Sequence, residues 1–364
     1  MPKVEAYLSL EASMSGRLGP KWDKYATKIT TKVAAALDKD DVTKAVEIIE
    51  TMDLSKIMAG EHSYIKFLFT SALLFGATRL NVKAKETSIA RGDKVPSIVV
   101  PAVKQYKLML ENANITLKKA AYAALDEIEA IRLAEEDAEY STNVVKGEED
   151  KIRMKDVLDP KIKTTGNSLI DIGSSLQMAR LAGYGYLIEA RATGVTKYAV
   201  NEQLDNRTCP VCRTMHGKVF EVKTAYEKVD TLLRVDDPAD LRSMAPWPKQ
   251  NKDAIANLRG MSSEDLVKAG WDTPPYHPRC RGLLDYIGNV ITYDETQTPI
   301  DTIDMGSMTQ TVTEQVLLAN IALEISTLTS ATKVLEAEVL LTEGNTADAL
   351  FLLGLDADGR PLPM

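Results

Sequence analysis

Residues 205–220 read "DNRTCPVCRTMHGKVF" and residues 271–282 read "WDTPPYHPRCRG". These two segments hold all three cysteines and two of the three histidines of a 364-residue chain. Cys209 and Cys212 flank Pro210, and His277 and Cys280 repeat the same spacing around Pro278. Two thiolates offered from one tight turn, matched by a second closely spaced N/S pair, are the donor set of tetrahedral zinc. Three cysteines, two of them as CxxC, suit a metal better than a disulfide framework. No cysteine is left over and no carboxylate stands nearby in ligand spacing, so the expected site is closed and structural. Such a site contributes on the order of 10 kcal/mol of folding free energy through binding. Residues 205–285 need that help, because they carry few large apolar side chains for a core of their own.

His216 competes for the fourth ligand position, four residues after Cys212. His277 is the expected ligand, because Pro274, Pro275 and Pro278 extend and stiffen the chain around it. His216, beside Gly217, reads as a turn residue or as a donor that supports a ligand. His62 reads as surface or core filler. Catalysis is not expected. A zinc deaminase requires H-x-E ahead of P-C-x-x-C, and a zinc peptidase requires H-E-x-x-H; neither occurs. The chain also lacks a P-loop, a GxGxxG and a GxSxG.

Working outward from the two segments, the composition is that of a globular protein. It is 45% hydrophobic and 26% charged, too apolar for wholesale disorder, and its abundance of Ala, Leu, Lys and Glu favours helix. The opening "MPKVEAYLSLEASM" lacks a basic stretch followed by an apolar run, so no secretory signal is expected. "FLFTSALLFGA" is too short to cross a bilayer. A soluble protein of a reducing compartment is expected, with no membrane partner.

The net charge of −8 conceals a gradient. The first 120 residues carry 19 Lys and Arg against 13 Asp and Glu, whereas residues 285–364 carry 2 against 13. The basic front is weak support for phosphate contact. The acidic end would be repelled by DNA and could dock on a basic protein surface.

The periodicities divide the chain further. Residues 20–58 read as two helices joined near Asp40 and Asp41, and "SYIKFLFTSALLFGATRLNV" as a buried core helix. "GDKVPSIVVPAV" (92–103), with Gly92, Pro96 and Pro101, reads as a loop or short extended piece. Helical spacing returns from Val103 to about Tyr140. Residues 141–168 are polar and poorly periodic and read as a connecting segment. Asn167 is then placed to cap a helix that Gly194 ends. "KYAVNEQL", "GKVFEV" and "RGLLDYI" read as short strands, with helical pieces between residues 223 and 270. Near Leu317, Ile321, Ile325, Leu328, Leu335 and Val339 an apolar stripe follows helical spacing, suited to packing on its own domain or on a partner. The fold class expected is α+β, predominantly α. It comprises a helical N-terminal region (1–160), a zinc-stapled α+β module (161–290) and an acidic C-terminal helical tail (291–364).

At the cysteines the chain resembles the bacteriophage Mu F-like family of minor head, or head morphogenesis, proteins. The shared pattern is an Asp ahead of T-C-P-x-C, then G-K-x-F, a variable insert, and P-P-x-H-P-x-C-R. Here it reads "DNRTCPVC", "HGKVF" and "PPYHPRCRG", and the likeness covers about residues 165–290. The chain departs from the pattern at Gly282, where a further Cys is common, and "QMARLAGYGYLIEA" only loosely follows the family's preceding helix. The resemblance implies a low-copy structural component of a tailed-phage head near the portal vertex, assembled in the host cytoplasm. The implied partners are the portal protein, the major capsid protein and packaged phage DNA. The same module also occurs beside toxin domains. A phage-carried nuclease or toxin, or a zinc-dependent nucleic-acid binder, is therefore the alternative.

Overall fold

The computed structural model describes residues 2–80, 87, 95–142 and 154–287. The acidic tail and its apolar stripe lie outside the described residues. The architecture is α+β and predominantly α, as the sequence leads one to expect: long helices packed together, with a three-stranded antiparallel sheet at one side. Among the described residues no helix is long and apolar enough to cross a membrane.

Helix α1 (Pro2–Leu37) ends at Asp40, which takes φ 56°, and Asp41 then caps α2 (Val42–Glu50) by accepting the Lys44 N–H at 2.9 Å. A short 3-10 turn (Leu54–Met58) leads to α3 (His62–Thr78), the apolar core helix expected from its composition. His62 stands exposed at the start of α3. The preceding Glu61 is buried, which opposes its ionisation. Arg17 and Lys21 of α1 outweigh that cost and hold its carboxyl below the usual carboxylate range.

Two expectations about helix boundaries are corrected. The stretch 92–103 is not a loop over its described part, because α4 (Val95–Thr142) begins at Val95 and passes through Pro101. Pro96 falls in the first turn, where a missing N–H costs nothing. Ile98, Val99, Ala102, Val103 and Tyr106 are buried on one face, and that burial outweighs the bond Pro101 cannot make. Likewise α5 (Met154–Ala192) begins well before Asn167. Leu158, Ile162, Gly166 and Ile170 recur every four residues and are buried, a stripe that the polar residues between them hide in the sequence. Asn167 is therefore not a cap. It lies mid-helix and donates through Nδ2 to Asp23 Oδ1 of α1 at 2.9 Å. The far end of α5 is as expected, with Gly194 at φ 77° just beyond it.

Helix α5 is the spine of the fold, packing on α1, α3 and α4 and also on elements of the sheet region. It runs unbroken across residues 160 and 161, where the boundary between the first two regions was expected. Its approach to α3 is close enough to require glycine. A Cβ on Gly76 would meet Ala182 O at 1.8 Å, and one on Gly185 would meet Leu73 O at 1.9 Å. The two helices thus touch backbone to backbone.

The sheet has the order β2–β1–β3. Strand β1 (Lys197–Asn201) pairs antiparallel with β2 (Val219–Glu221), Tyr198 opposite Phe220, and with β3 (Leu283–Asp285), Val200 opposite Leu284. Short helices fill the connections: α6 (Pro210–Met215) between β1 and β2, then α7 (Val222–Leu232), α8 (Pro238–Met244), α9 (Lys252–Gly260) and α10 (Ser263–Lys268). Ser262 caps α10, accepting the Asp265 N–H at 3.1 Å, and Gly270 follows at φ 78°. Arg79, just past α3, donates to Leu284 O at 2.9 Å and pairs with Asp285, so the helical layer grips β3 directly.

Candidate metal centre

Antiparallel pairing explains why two segments some 70 residues apart meet. Because β2 and β3 flank β1 and both run against it, the end of β1 and the starts of β2 and β3 lie at one end of the sheet. The chain leaving β1 carries Glu202, Cys209 and Cys212, and the chain entering β3 carries His277 and Cys280.

Locally, each pair is held by its own turn. Cys209 is the N-cap of α6, its Sγ accepting the Cys212 N–H at 3.4 Å, with Pro210 in the first helical turn. In the second pair, the Cys280 N–H donates to His277 O at 3.2 Å and Arg279 takes φ 60°. Arg279 then reaches Ser168 Oγ and Asp171 of α5, each at 3.5 Å, which sets this loop against the helical layer.

The ligand-type atoms fall into two trios, each within 4.8 Å of one another: Cys209, Cys212 and His277, and Glu202, Cys212 and Cys280. Cys212 belongs to both. His277 Nε2 lies 3.2 Å from Cys209 Sγ and 3.1 Å from Cys212 Sγ, and Cys212 Sγ lies 3.7 Å from Cys280 Sγ. Two thiolates on one zinc, each about 2.3 Å from it, would stand about 3.8 Å apart, a spacing the Cys212–Cys280 pair matches, while the four donors do not all lie within 4.8 Å of one another. His277 Nδ1 is 2.7 Å from the Pro278 carbonyl, to which it donates. That bond directs Nε2 at the sulfurs, the arrangement usual for a metal-bound imidazole.

The electrostatics point the same way. The Cys209 thiol is pushed down to about 4, first by the Cys212 hydrogen bond and then, against burial, by His277. The Cys212 hydrogen bond also leads in lowering Cys280 to about 6, while Cys212 itself is pushed up. His277 is raised to about 9, first by its hydrogen bond to Cys209. Cys212 and His277 thus favour their protonated forms, so a metal bound at this cluster would release protons.

Of the four residues expected from sequence, Cys209, Cys212 and His277 fall in one trio, and Cys280 meets them only through Cys212, in the trio with Glu202. His216 is not in either trio. Its Nδ1 accepts the Glu202 N–H at 3.1 Å, so it fastens the end of β1 to the turn after α6. One expectation is corrected, since a carboxylate does stand at the cluster. Glu202 is buried with Oε1 3.8 Å from Cys280 Sγ, and burial, followed by the nearby Cys280, pushes its carboxyl well up. Gly282 makes the room: a Cβ there would meet Glu202 Oε1 at 2.1 Å. The signal for Glu202 is present in the period-two pattern. Tyr198 and Val200 point inward on β1, and Glu202 continues the same alternation.

Two further residues of the ligand segments also meet at this end of the sheet. Asp205 and Arg281 form a fork-to-fork ion pair, Nη1 to Oδ2 and Nη2 to Oδ1, both at 2.7 Å. Asp205 also accepts the Arg207 N–H at 2.9 Å, and its carboxyl is held well below the usual range, first by Arg281. This clamp joins the first ligand segment to the second beside the cluster. Comparisons with protein-family models, with curated proteins and with solved structures find no match to this chain.

Proposed function

We propose that this chain is a structural component of a tailed-phage head, in which Cys209, Cys212, His277 and Cys280 hold one zinc ion. The observation that carries the zinc assignment is the convergence of two Cys/His pairs, separated by about 65 residues of other structure, at one end of a three-stranded sheet. Bound there, zinc would supply cross-linking rather than chemistry, since four protein donors would complete a tetrahedral shell. The place in the head rests on the resemblance of the two ligand segments to the Mu F-like pattern. It gains support from the Asp205–Arg281 clamp, which uses the Asp and the Arg of that same pattern. Portal protein and major capsid protein are the proposed partners, with packaged DNA as a third.

The test is whether the chain enters particles. Mass spectrometry of purified heads should find it at low copy number, and it should co-purify with portal rings. Degradation of DNA on addition of a divalent metal, lost on His216→Ala, would instead assign a nuclease.

The clamp carries a further expectation. Asp205→Asn removes the charge that aligns Arg281 next to Cys280, and Arg281→Lys removes the fork that matches the carboxylate. Each should weaken zinc retention by roughly tenfold, the usual scale for groups that orient ligands. Competition against a coloured chelator measures it; wild-type affinity in both variants would leave the pair no part in the site.

A further inference from the structure

Helix α1 carries Arg17, Lys21, Lys24, Lys28 and Lys32, all exposed. At about 100° per residue these five fall within an arc of about 80°, and at about 1.5 Å per residue they form a row about 22 Å long. Arg17 and Lys21 share the buried carboxylate of Glu61. Lys56, exposed on the 3-10 turn, widens the row: its Nζ lies 5.8 Å from the centre of the ring of Tyr25, the residue after Lys24. Among the described residues, Lys24, Lys28, Lys32 and Lys56 make no ion pair. Exposed Lys66, Lys119, Lys223 and Lys252 also have no ion pair among the described residues, so what sets the row apart is that its cations stand side by side on one face of one helix. Asp23, the only acid between Arg17 and Lys32, lies off the row and is bonded to Asn167.

Lys24, Lys28 and Lys32 on one helix face, with Lys56 beside them, repel one another and gain from any anion laid along them. The same chain provides one. The 77 residues after Ile287 hold twelve Asp and Glu against Lys333 and Arg360. A tethered segment acts at an effective concentration on the order of millimolar, whereas free polyanions meet a chain whose net charge is −8. We propose that the lysine row of α1 is the docking surface for the acidic segment after Ile287 of the same chain. This rests neither on the metal nor on a place in a phage head.

Zero-length carbodiimide cross-linking of the full chain, read by peptide mass spectrometry, tests it. Amide bonds are expected from Lys24, Lys28, Lys32 or Lys56 to carboxylates after Ile287, within single chains. Their yield should fall severalfold between about 0.01 M and 1 M salt, as the Debye length shrinks from about 30 Å to about 3 Å. Lys24→Glu combined with Lys28→Glu and Lys32→Glu should remove them while leaving the helical circular dichroism spectrum intact. Acidic-segment links spread equally over exposed Lys223 and Lys252, links found only in covalent dimers, or no links at all would each overturn the proposal. So would duplex DNA binding to the full chain that the triple variant abolishes, which would make the row a phosphate surface.

Discussion

Cys280→Ser is expected to empty the metal centre and unfold residues 205–285, while the wild-type chain carries about one zinc per molecule. The size of the effect follows from what the cluster joins. Cys280 Sγ is 3.7 Å from Cys212 Sγ and lies on the loop that enters β3, so its loss leaves the second ligand segment tied to the first only through His277 and the Asp205–Arg281 clamp. Structural zinc contributes on the order of 10 kcal/mol in small modules, comparable to the net stability of a whole domain. Cys209→Ser should act alike, because Cys209 both contacts His277 and caps α6. His216→Ala provides the contrast. Its Nδ1 holds a backbone N–H of Glu202 instead of facing the sulfurs, so zinc should stay bound at a modest cost in stability. Atomic absorption on folded protein decides both. Soluble, folded wild type without metal would end the zinc reading, and metal lost with His216 alone would change the ligand set.

Gly185→Ala should be among the most damaging single-methyl changes in the helical layer. The added carbon would sit 1.9 Å from Leu73 O, a backbone atom that cannot rotate away, so α3 and α5 must separate. Overpacking of this kind costs about 3 kcal/mol, and each kcal/mol lowers Tm by about 2–4 °C in a domain of this size. Gly76→Ala should match it, meeting Ala182 O at 1.8 Å. The same substitution at Gly16 should have the opposite sign. That position is exposed in α1 with nothing within 4 Å, so alanine there gains about 1 kcal/mol of helix propensity. Thermal melts of the three variants check the crossing. A Gly185→Ala protein as stable as Gly16→Ala would mean the helices do not touch. The effect should also reach the sheet, since Arg79 beyond α3 holds β3 through Leu284 O.

Cysteine and histidine spacing makes the donor set of the metal centre legible in the sequence alone. Such spacing is a local property: a turn of four residues can present two ligands wherever it folds. The strands around the centre are legible for a similar reason, as short runs rich in β-branched, aromatic and aliphatic residues mark them locally. Helix α3 is also plain, because its composition is apolar nearly all round.

What cannot be read locally is decided by neighbours. Pro101 marks a break in any isolated peptide, yet the buried face from Ile98 to Tyr106 carries α4 through it. The stripe from Leu158 to Ile170 is spaced every four residues among charged ones, and it becomes a helix face only when α1 is there to cover it. Glu202 is an ordinary acid until antiparallel pairing places it against Cys280 and Gly282 leaves it room. Asp205 and Arg281, 76 residues apart, become a clamp only across the sheet end. The sequence by itself determined the candidate donor pairs, the places of the short strands and the apolar helix, because short-range chemistry and spacing suffice for those. Tertiary structure alone decided the extent of α4 and α5, the carboxylate at the metal centre and the ion pair beside it. Each of these depends on free energy gained from a partner distant in the chain.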